Sequence, residues 1–513
     1  MSAKTAPSLA DWMLHGLYDA QAGYYAAGRV RFGHGEDFWT FPTRLSPSFG
    51  MLLTEHLTGL RQRLVDGGDL AAAAPFYVIE LGAGDGTLGR DLLDAAAADD
   101  ADAGLAATLC YRVGERSGAL RERQRTAFGP HADIRIGGDG PLRADHLPQR
   151  ADGLLPDVAP FAGVILHNEL LDVWPHELVR PATMQRLVLD AGDAFDRESL
   201  VGAMRAAFDA GNNAPPLTLT QRWAPLDDPA IMAWLAALTP WVDHRVRSAD
   251  GAATTLVCPG MPQLTAWAAA TLQAGWMLTI DYGGGCDHHL DPMPALPQLR
   301  LYPQPAAVAE RRSSEASLLD LDWPGRQDVT VDIDFSHLAW CGAQCGLRPV
   351  LHGPQGLLAP GQALAAALGS VTHDALAPAS RAAIERRLRK RHGLDAIAAA
   401  QLVYAAARGF VQRSAGFRLL LQERDGTRGA LPALAGSWPV LPSELPALAH
   451  APSDDQRAAL DLPEGLTPAR SLLSALDEAG RRDDLGEILS RLDAAGLLVF
   501  PGAAFARAAD TVE

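Results

Sequence analysis

The sequence of residues 76–98 predicts a strand, a loop and a helix in that order. The apolar run Phe76–Leu81 ends in a cluster of glycines, and Leu88–Ala98 follows with helical periodicity. Further short apolar runs lie at Leu109–Glu115, Asp133–Ile136, Gly163–His167, Trp276–Asp281, Val329–Ile333 and Arg348–Leu351. Because buried runs that alternate with helical segments are typical of a sheet covered on both faces, we predict an α/β, Rossmann-like core with a mostly parallel seven-stranded sheet.

The chain of 513 residues is longer than one hydrophobic core usually supports, so several folding units are expected. The predicted organisation is an N-terminal helical and loop extension over 1–75, a core over 76–375, a helical segment completing the core over 376–430, and an accessory module over 431–513.

The alternation of strands and helices breaks at about 180–255. A strand pair is predicted there at Glu177–Arg180 and Arg186–Leu189, followed by helical stretches. We interpret this part as an insertion that helps to roof the active site as a lid.

The net charge and the composition of the chain restrict the classes of partner that it is expected to bind. The formal net charge of −17 disfavours generic binding to nucleic acid or anionic lipid, and the basic run Arg386–Arg391 is assigned to a solvated helix face. Five scattered cysteines suit a reducing compartment, and neither a signal peptide nor an uninterrupted apolar span is recognisable. The sequence therefore predicts a cytoplasmic protein without a nucleic-acid or membrane partner.

The glycine-rich loop Glu80–Leu88 is the strongest local signal for a cofactor. Glycines permit a tight turn and allow a ligand to approach the backbone. Dinucleotide enzymes have a similar loop, but Thr87 stands where their fingerprint has glycine, and an acidic residue before the first glycine is typical of methyltransferases. We predict that the cofactor is bound by Glu80, Gly82, Ala83, Gly84, Gly86 and Thr87.

Glu115 ends the next predicted strand. A carboxylate at this place can accept hydrogen bonds from both ribose hydroxyls of an adenosine, which either S-adenosylmethionine or a dinucleotide offers. The spacing after Gly84 is longer than the roughly 20 residues of the dinucleotide pattern. S-adenosylmethionine is therefore the favoured cofactor, and nicotinamide or flavin binding remains the alternative.

Polar residues follow the fourth strand in His167–Asp172. In an open α/β sheet, side chains at this edge face the ligand crevice. Glu169 and Asp172 could hold a cationic guanidinium and favour its nucleophilic form, and Asn168 could orient the substrate or contact the cofactor. The alternative interpretation is a helix N-terminus capped by Asn168. Ile280–Gly284 ends the fifth strand and is expected to border the same cleft.

Metal binding is not predicted. The loop Cys286–Asp291 contains two adjacent histidines, but no second ligand cluster has zinc spacing. Cys341 and Cys345 lie four residues apart on a predicted helix and are interpreted as small core residues.

Taken together, these motifs resemble the MidA-like family, which includes the mitochondrial complex I assembly methyltransferase. The resemblance spans about residues 8–428, and its motifs occur in family order. The matching segments are Tyr18–Tyr25, Glu36–Thr40 with Ser46–Gly50, Glu80–Leu88, Asn168–Pro175, Ile280–Gly283, Asp328–Phe335 and Gln355–Gly356.

This resemblance implies a class I methyltransferase fold, S-adenosyl-L-methionine as cofactor and, by analogy with the mitochondrial member, methylation of a protein arginine. The chain departs from the family pattern mainly on the substrate side. Residues Phe41–Pro47 lack a family glutamate, Asp332 stands where the family has histidine, and the histidine expected after Leu299–Tyr302 is missing.

Residues 431–513 lie outside the resemblance. Helices are predicted from Leu466–Arg470 and over Leu485–Ala495, followed by a strand at Leu497–Phe500. This order resembles a winged helix, and simple packing against the core is the alternative.

The favoured function is methylation of a protein or peptide side chain, with arginine as the expected acceptor and residues 431–513 helping to recruit the substrate. Two alternatives stay open: methylation of a small molecule, and a non-catalytic assembly factor that binds the cofactor. The predicted partner is a protein or peptide substrate, and a homodimer is left open.

Overall fold

A computed structural model gives the fold of the chain. The structure describes residues 6–28, 30–32, 40, 42–43, 46–98, 103–131, 143–146, 155–190, 195–210, 217, 219–238, 254–284, 299–303, 321, 325, 327–358, 417–428, 447–448, 450–464, 466, 475, 479, 488, 491–492, 495 and 497–499. Among these residues, the helices are too short or too polar to cross a membrane.

The described secondary structure alternates between strands and helices along the chain. The helices are α1 (Leu9–Tyr18), α2 (Ser48–Gly67), α3 (Thr87–Ala98), α4 (Ala103–Thr108), α5 (Gly118–Phe128), α6 (Arg197–Asp209), α7 (Pro229–Leu238), α8 (Met261–Thr271), α9 (Phe335–Gln344) and α10 (Asp454–Leu460). The strands are β1 (Phe76–Leu81), β2 (Leu109–Gly114), β3 (Arg143–His146), β4 (Phe161–Asn168), β5 (Glu177–Arg180), β6 (Gln185–Asp190), β7 (Thr220–Pro225), β8 (Thr255–Val257), β9 (Leu272–Gly284), β10 (Leu299–Pro303), β11 (Gln327–Val331), β12 (Ile333–Asp334), β13 (Leu347–Pro354), β14 (Phe417–Arg424), β15 (Ala447–Leu448) and β16 (Leu498–Val499).

Seven strands form the central sheet in the order β13-β14-β9-β4-β1-β2-β3, and β12 adds a short pairing to the end of β9. The pairings from β9 to β3 are parallel, whereas β14 runs antiparallel to both of its neighbours. The predicted α/β fold with a mostly parallel sheet is therefore confirmed. Because the chain turns to opposite sides of β1 to form β2 and β4, the crevice at the carboxyl ends of β1 and β4 is the expected ligand site.

Helices cover both faces of this sheet. Alternate strand residues point to opposite faces, so Val78 and Trp276 pack with helices α2 and α3. Ile79 and Met277 pack on the other face with α8 and α9. The apolar runs read from the sequence are thus buried on both sides, as a parallel sheet requires.

Two predictions about the sheet need correction. Phe417–Arg424, which lies in the segment predicted to be helical, is strand β14 and pairs with β9. The rest of the predicted helical segment up to residue 416 lies outside the described residues. Strand β11 pairs with β10 in a separate ribbon instead of completing the sheet. The predicted strand Asp133–Ile136 lies outside the described residues and stays a prediction, and the described strand beside β2 is β3.

The insertion forms a second, four-stranded antiparallel sheet in the order β7-β6-β5-β8. The predicted strand pair corresponds to β5 and β6, which confirms it. This sheet packs with α1, which begins at a capping box between Ser8 and Asp11. None of the described residues of the insertion lines the cavity described below, and its role as a roof of the active site stays a prediction.

The C-terminal region is described in part. Strand β16 lies within the predicted strand Leu497–Phe500 and pairs antiparallel with β15. The described residues Ala475, Ile488 and Leu492 are helical and buried. The winged-helix interpretation stays a prediction.

Candidate functional site

The glycine-rich loop connects the end of β1 to the start of α3. Gly82, Gly84 and Gly86 all have positive φ, at 66°, 55° and 84°. A side chain at Gly82 would place its Cβ 2.6 Å from Cδ1 of Leu170, so this position admits only glycine without rearrangement. Gln124 Nε2 donates to the carbonyl oxygen of Gly84 at 2.9 Å and fixes the loop from helix α5.

Glu80 lies beneath this loop and is 2% exposed. The hydroxyl of Tyr111 on β2 donates to Glu80 Oε2. Burial raises the pKa of Glu80 from its usual value of 4.5 to about 7, and the hydrogen bond from Tyr111 offsets part of the increase. The carboxyl group is therefore half protonated near neutral pH.

This pKa makes the stability of the protein depend on pH. As the pH rises from about 4.5 to 7, the unfolded chain releases the Glu80 proton while the folded protein retains it. The free energy of unfolding therefore falls by about 3 kcal/mol over this window. We expect Glu80→Gln to abolish this contribution. Relative to the wild type, the melting temperature of the variant should rise by several degrees between these two pH values.

Thermal unfolding of both proteins in parallel tests this expectation. Glu122→Gln, on the exposed face of α5, is the matched control. If the difference in melting temperature between Glu80→Gln and the wild type is the same at both pH values, the raised pKa of Glu80 is contradicted.

Glu115 follows β2 and is also buried. Its Oε1 accepts the backbone amide of Ser117 at 2.8 Å, and its Oε2 accepts Nε2 of Gln124 at 3.0 Å. Burial raises the pKa of Glu115, against these hydrogen bonds. Since Gln124 also holds Gly84, one side chain couples the carboxylate to the glycine-rich loop.

The residues after β4 form a tight loop at the adjacent strand end. Glu169 adopts φ of 50°, a strained conformation for a residue with a side chain, and its amide donates to the carbonyl of Ile280 at 2.8 Å. Asn168 Nδ2 donates to Glu169 Oε1 at 3.2 Å, while Asn168 Oδ1 is buried without a partner among the described residues. Asp281 Oδ2 accepts the backbone amides of Leu171 and Asp172.

Asp172 lies in the short 3-10 turn Leu171–Val173, which Asn168 does not cap, and its carboxylate points at Tyr282 on β9. Its Oδ2 accepts the hydroxyl of Tyr282 at 2.6 Å. Burial raises the pKa of Asp172 to about 6, against the lowering effects of the bond from Tyr282 and the charge of Arg300. Burial, with the nearby charges of Asp172 and Glu169, raises the pKa of Asp281 well above its usual range.

The N-terminal extension closes this part of the site. The hydroxyl of Tyr18 donates to the carbonyl of Val173 at 2.9 Å, and the hydroxyl of Tyr25 donates to Asp328 Oδ1 at 2.8 Å. The two tyrosine rings stack with centroids 5.8 Å apart. Phe32 lies beside Gly84, where a Cβ added to the glycine would lie 3.5 Å from its ring.

A single cavity of about 440 Å³ brings these groups together. Its lining includes the predicted site residues Glu80, Gly82, Ala83, Gly84, Glu115, Asn168, Glu169 and Asp172. Gly86 and Thr87 do not line it. A Cβ at Gly86 would lie 3.1 Å from atoms of helix α5, and the Thr87 amide donates to Asp85 Oδ1 at the start of α3, so both positions serve the loop itself.

Further lining residues were not named individually as site residues, although one of them, Tyr282, confirms that the segment Ile280–Gly284 borders the cleft. They are Tyr18, Tyr25, Phe32, Thr40, Pro42, Thr43, Asp85, Leu88, Leu120, Leu170, Val173, Tyr282, Arg300, Asp328, Thr330 and Phe417. The sequence signal that could have identified some of them is membership of a motif segment. It applies to Tyr18, Tyr25, Tyr282, Arg300 and Asp328. Their meeting in one cavity depends on long-range packing.

The candidate metal loop Cys286–Asp291 lies outside the described residues. Within the part of the chain that the structure describes, no group of three or more acidic, histidine or cysteine side chains could hold a metal ion.

Comparison with protein families gives one match. The family described as "Putative S-adenosyl-L-methionine-dependent methyltransferase" matches residues 66–352, more than half of the chain. The matched region contains the glycine-rich loop, Glu115 and the loop after β4. No curated protein matches the chain.

Two solved structures share the fold. One is a COG1565 superfamily member from Burkholderia thailandensis bound to S-adenosyl-homocysteine, with a TM-score of 0.53 and 22% identity over 84% of this chain and 91% of that protein. The other is a native COG1565 superfamily protein from the same organism, with a TM-score of 0.52 and 22% identity over 83% and 90% of the two chains.

Proposed function

Because the chain belongs to the family of S-adenosyl-L-methionine-dependent methyltransferases, we propose that it methylates a nitrogen of a protein or peptide arginine. The observation that carries the proposal is the acidic and aromatic end of the cavity. Asp172 and Asp328 are buried there beside Tyr18, Tyr25 and Tyr282. Carboxylates and aromatic faces both favour a planar guanidinium cation.

The residues at the other end of the cavity fit the cofactor. Glu115 would hold the ribose hydroxyls, and the open space at Gly84 lets a ligand lie against the backbone of the loop. Asn168 also lines the cavity, and its Oδ1, buried and unpartnered among the described residues, would accept a hydrogen bond from a ligand. When bound, S-adenosyl-L-methionine supplies an electrophilic methyl group on a sulfonium.

The side chains of this cavity then have distinct tasks. Two carboxylates would orient the guanidinium for in-line attack. They are Asp328, which accepts the hydroxyl of Tyr25, and Asp172, which accepts the hydroxyl of Tyr282. Asp172 would accept the proton that the nitrogen loses. Its pKa of about 6 leaves it ionised at neutral pH yet basic enough for this role.

Label transfer into a cell extract tests the acceptor class. The full chain is incubated with extract and methyl-labelled S-adenosyl-L-methionine, and the proteins are hydrolysed for amino-acid analysis. We expect label in methylarginine, and none when Gly84→Val replaces the wild type.

Other outcomes would overturn the arginine assignment in defined ways. Label in another amino acid would change the acceptor, and label in the small-molecule fraction alone would favour a small-molecule methyltransferase. Cofactor binding without transfer to either fraction would favour a non-catalytic assembly factor.

A further inference from the structure

The ring of Tyr282 is held from two sides. The guanidinium carbon of Arg300 lies 5.0 Å from the centroid of this ring, and Phe417 contacts it edge-on with centroids 5.6 Å apart. The hydroxyl extends from this contact to Asp172 Oδ2 at 2.6 Å. Because both sides of the ring are packed, the direction of the hydroxyl is fixed by strands β9, β10 and β14.

The two oxygens of Asp172 are therefore in different situations. Oδ2 accepts the Tyr282 hydroxyl, whereas Oδ1 is buried and has no hydrogen-bond partner among the described residues. A buried carboxylate oxygen without a partner is unfavourable unless a ligand supplies a donor. Asp172 lines the cavity, so an acceptor molecule bound there is the available source of that donor.

Arg300 is itself fixed by an ion pair. Its Nη1 lies 2.6 Å from Asp332 Oδ1, and the Asp332 side chain is 13% exposed. Asp332 is one of the positions at which the sequence departs from the family pattern. In this chain its carboxylate balances the charge of Arg300 and holds the guanidinium over Tyr282.

We propose that Tyr282 is a positioning residue for Asp172, and that the Arg300–Asp332 ion pair keeps Tyr282 in place. This inference rests on the proposed function. Tyr282 occupies Oδ2, so that Oδ1 receives the proton of the acceptor nitrogen. The nitrogen lone pair forms the new N–C bond, the electron pair of the broken C–S bond stays on sulfur, and the N–H proton passes to Oδ1.

The charge on Asp172 also responds to groups from every element around it. These groups are Tyr18 on α1, Tyr25 in the N-terminal segment, Asp281 and Tyr282 on β9, Arg300 on β10, and Asp328 on β11, with Glu169 acting through Asp281. Of these, Tyr282 and Arg300 favour the ionised form of Asp172, and they are the two whose removal has an unambiguous sign.

Carbon-13 NMR of the full chain labelled at aspartate carboxyls measures this arrangement without any acceptor. The Asp172 signal is identified by its loss in Asp172→Asn. Tyr282→Phe removes a hydrogen bond to the ionised form and should raise the apparent pKa of Asp172 by about one unit. Asp332→Asn removes the group that holds Arg300 over Tyr282, so both groups that favour the ionised form act less on Asp172 and this pKa should rise as well, whereas a fall would show that Arg300 stays in place without Asp332. Tyr77→Phe, on β1 and away from the cavity lining, should leave it unchanged.

Calorimetric titration with S-adenosyl-L-methionine on each variant separates the two hypotheses. Binding within about threefold of the wild type shows that a variant is folded. If the variants bind the cofactor but the pKa of Asp172 does not rise, the positioning role is overturned and the methyltransferase function stands. If the wild type neither binds the cofactor nor transfers methyl groups, the proposed function itself fails. Should Tyr282→Phe not fold, the upward shift expected for Asp332→Asn decides alone.

Discussion

Gly84→Val is expected to weaken the binding of S-adenosyl-L-methionine by at least about 100-fold, or about 2.7 kcal/mol. Gly84 has φ of 55°, which a β-branched residue adopts only with strain, and it lines the cavity opposite Phe32. The valine side chain would fill the space in which the ligand lies against the loop. Isothermal titration of the full chain with the cofactor measures the loss.

Gly129→Val is a closely matched control. Gly129 also has a positive φ, 52°, but a Cβ built there meets nothing within 4 Å and the residue does not line the cavity. Both variants place a β-branched residue at a positive φ, so a loss of cofactor affinity confined to Gly84→Val locates the effect at the cavity. Equal affinities for the two variants would show that the loop at Gly84 does not contact the cofactor.

Asp172→Asn is expected to lower kcat for methyl transfer by about 10²- to 10⁴-fold while leaving the affinity for the cofactor within a few-fold of the wild type. The amide keeps the shape of the carboxylate and can still accept the Tyr282 hydroxyl. It cannot take a proton from the acceptor nitrogen. Single-turnover transfer of labelled methyl groups to extract proteins measures the rate of the chemical step.

Asp157→Asn controls for the loss of an acidic group in general, because Asp157 is exposed in the loop before β4. It should transfer methyl groups at the wild-type rate. If Asp172→Asn does so as well, Asp172 is not the proton acceptor. A parallel loss of cofactor binding would instead place Asp172 at the cofactor end of the cavity.

The parts of the site that depend on local structure could be predicted from the sequence. The strand, the glycine turn and the following helix are adjacent in the chain, and so are β2 with Glu115 and β4 with Asn168. Their side chains meet because parallel strands end at one edge of the sheet, which is a general property of the fold. Local sequence patterns and the general topology of the fold are therefore sufficient to predict which residues form the cofactor end of the cavity.

The acceptor end depends on contacts that local patterns do not encode. Tyr25 reaches Asp328 across 303 residues, and Tyr18 reaches Val173 across 155. The hydrogen bond between Asp172 and Tyr282 joins two strand ends 110 residues apart. Side-chain partners at such separations follow from packing of the N-terminal extension on the core, which periodicity does not specify.

Strand β14 shows why a local pattern can mislead. Its sequence contains Leu419, Leu420 and Leu421 among arginine, glutamine and glutamate, residue types that favour helix when propensity alone decides. In the folded protein these leucines are buried between β9 and β13, so pairing in the sheet overrides the local preference. The same strand brings Phe417 to the cavity.

A crystal structure of the full chain with S-adenosyl-homocysteine tests the central claim most directly. We predict that the ribose hydroxyls lie within hydrogen-bond distance, about 3 Å, of the Glu115 carboxylate. The homocysteine sulfur should face Asn168 and the acidic end that contains Asp172. Binding in another part of the protein, or an adenosine remote from Glu115, would contradict the account.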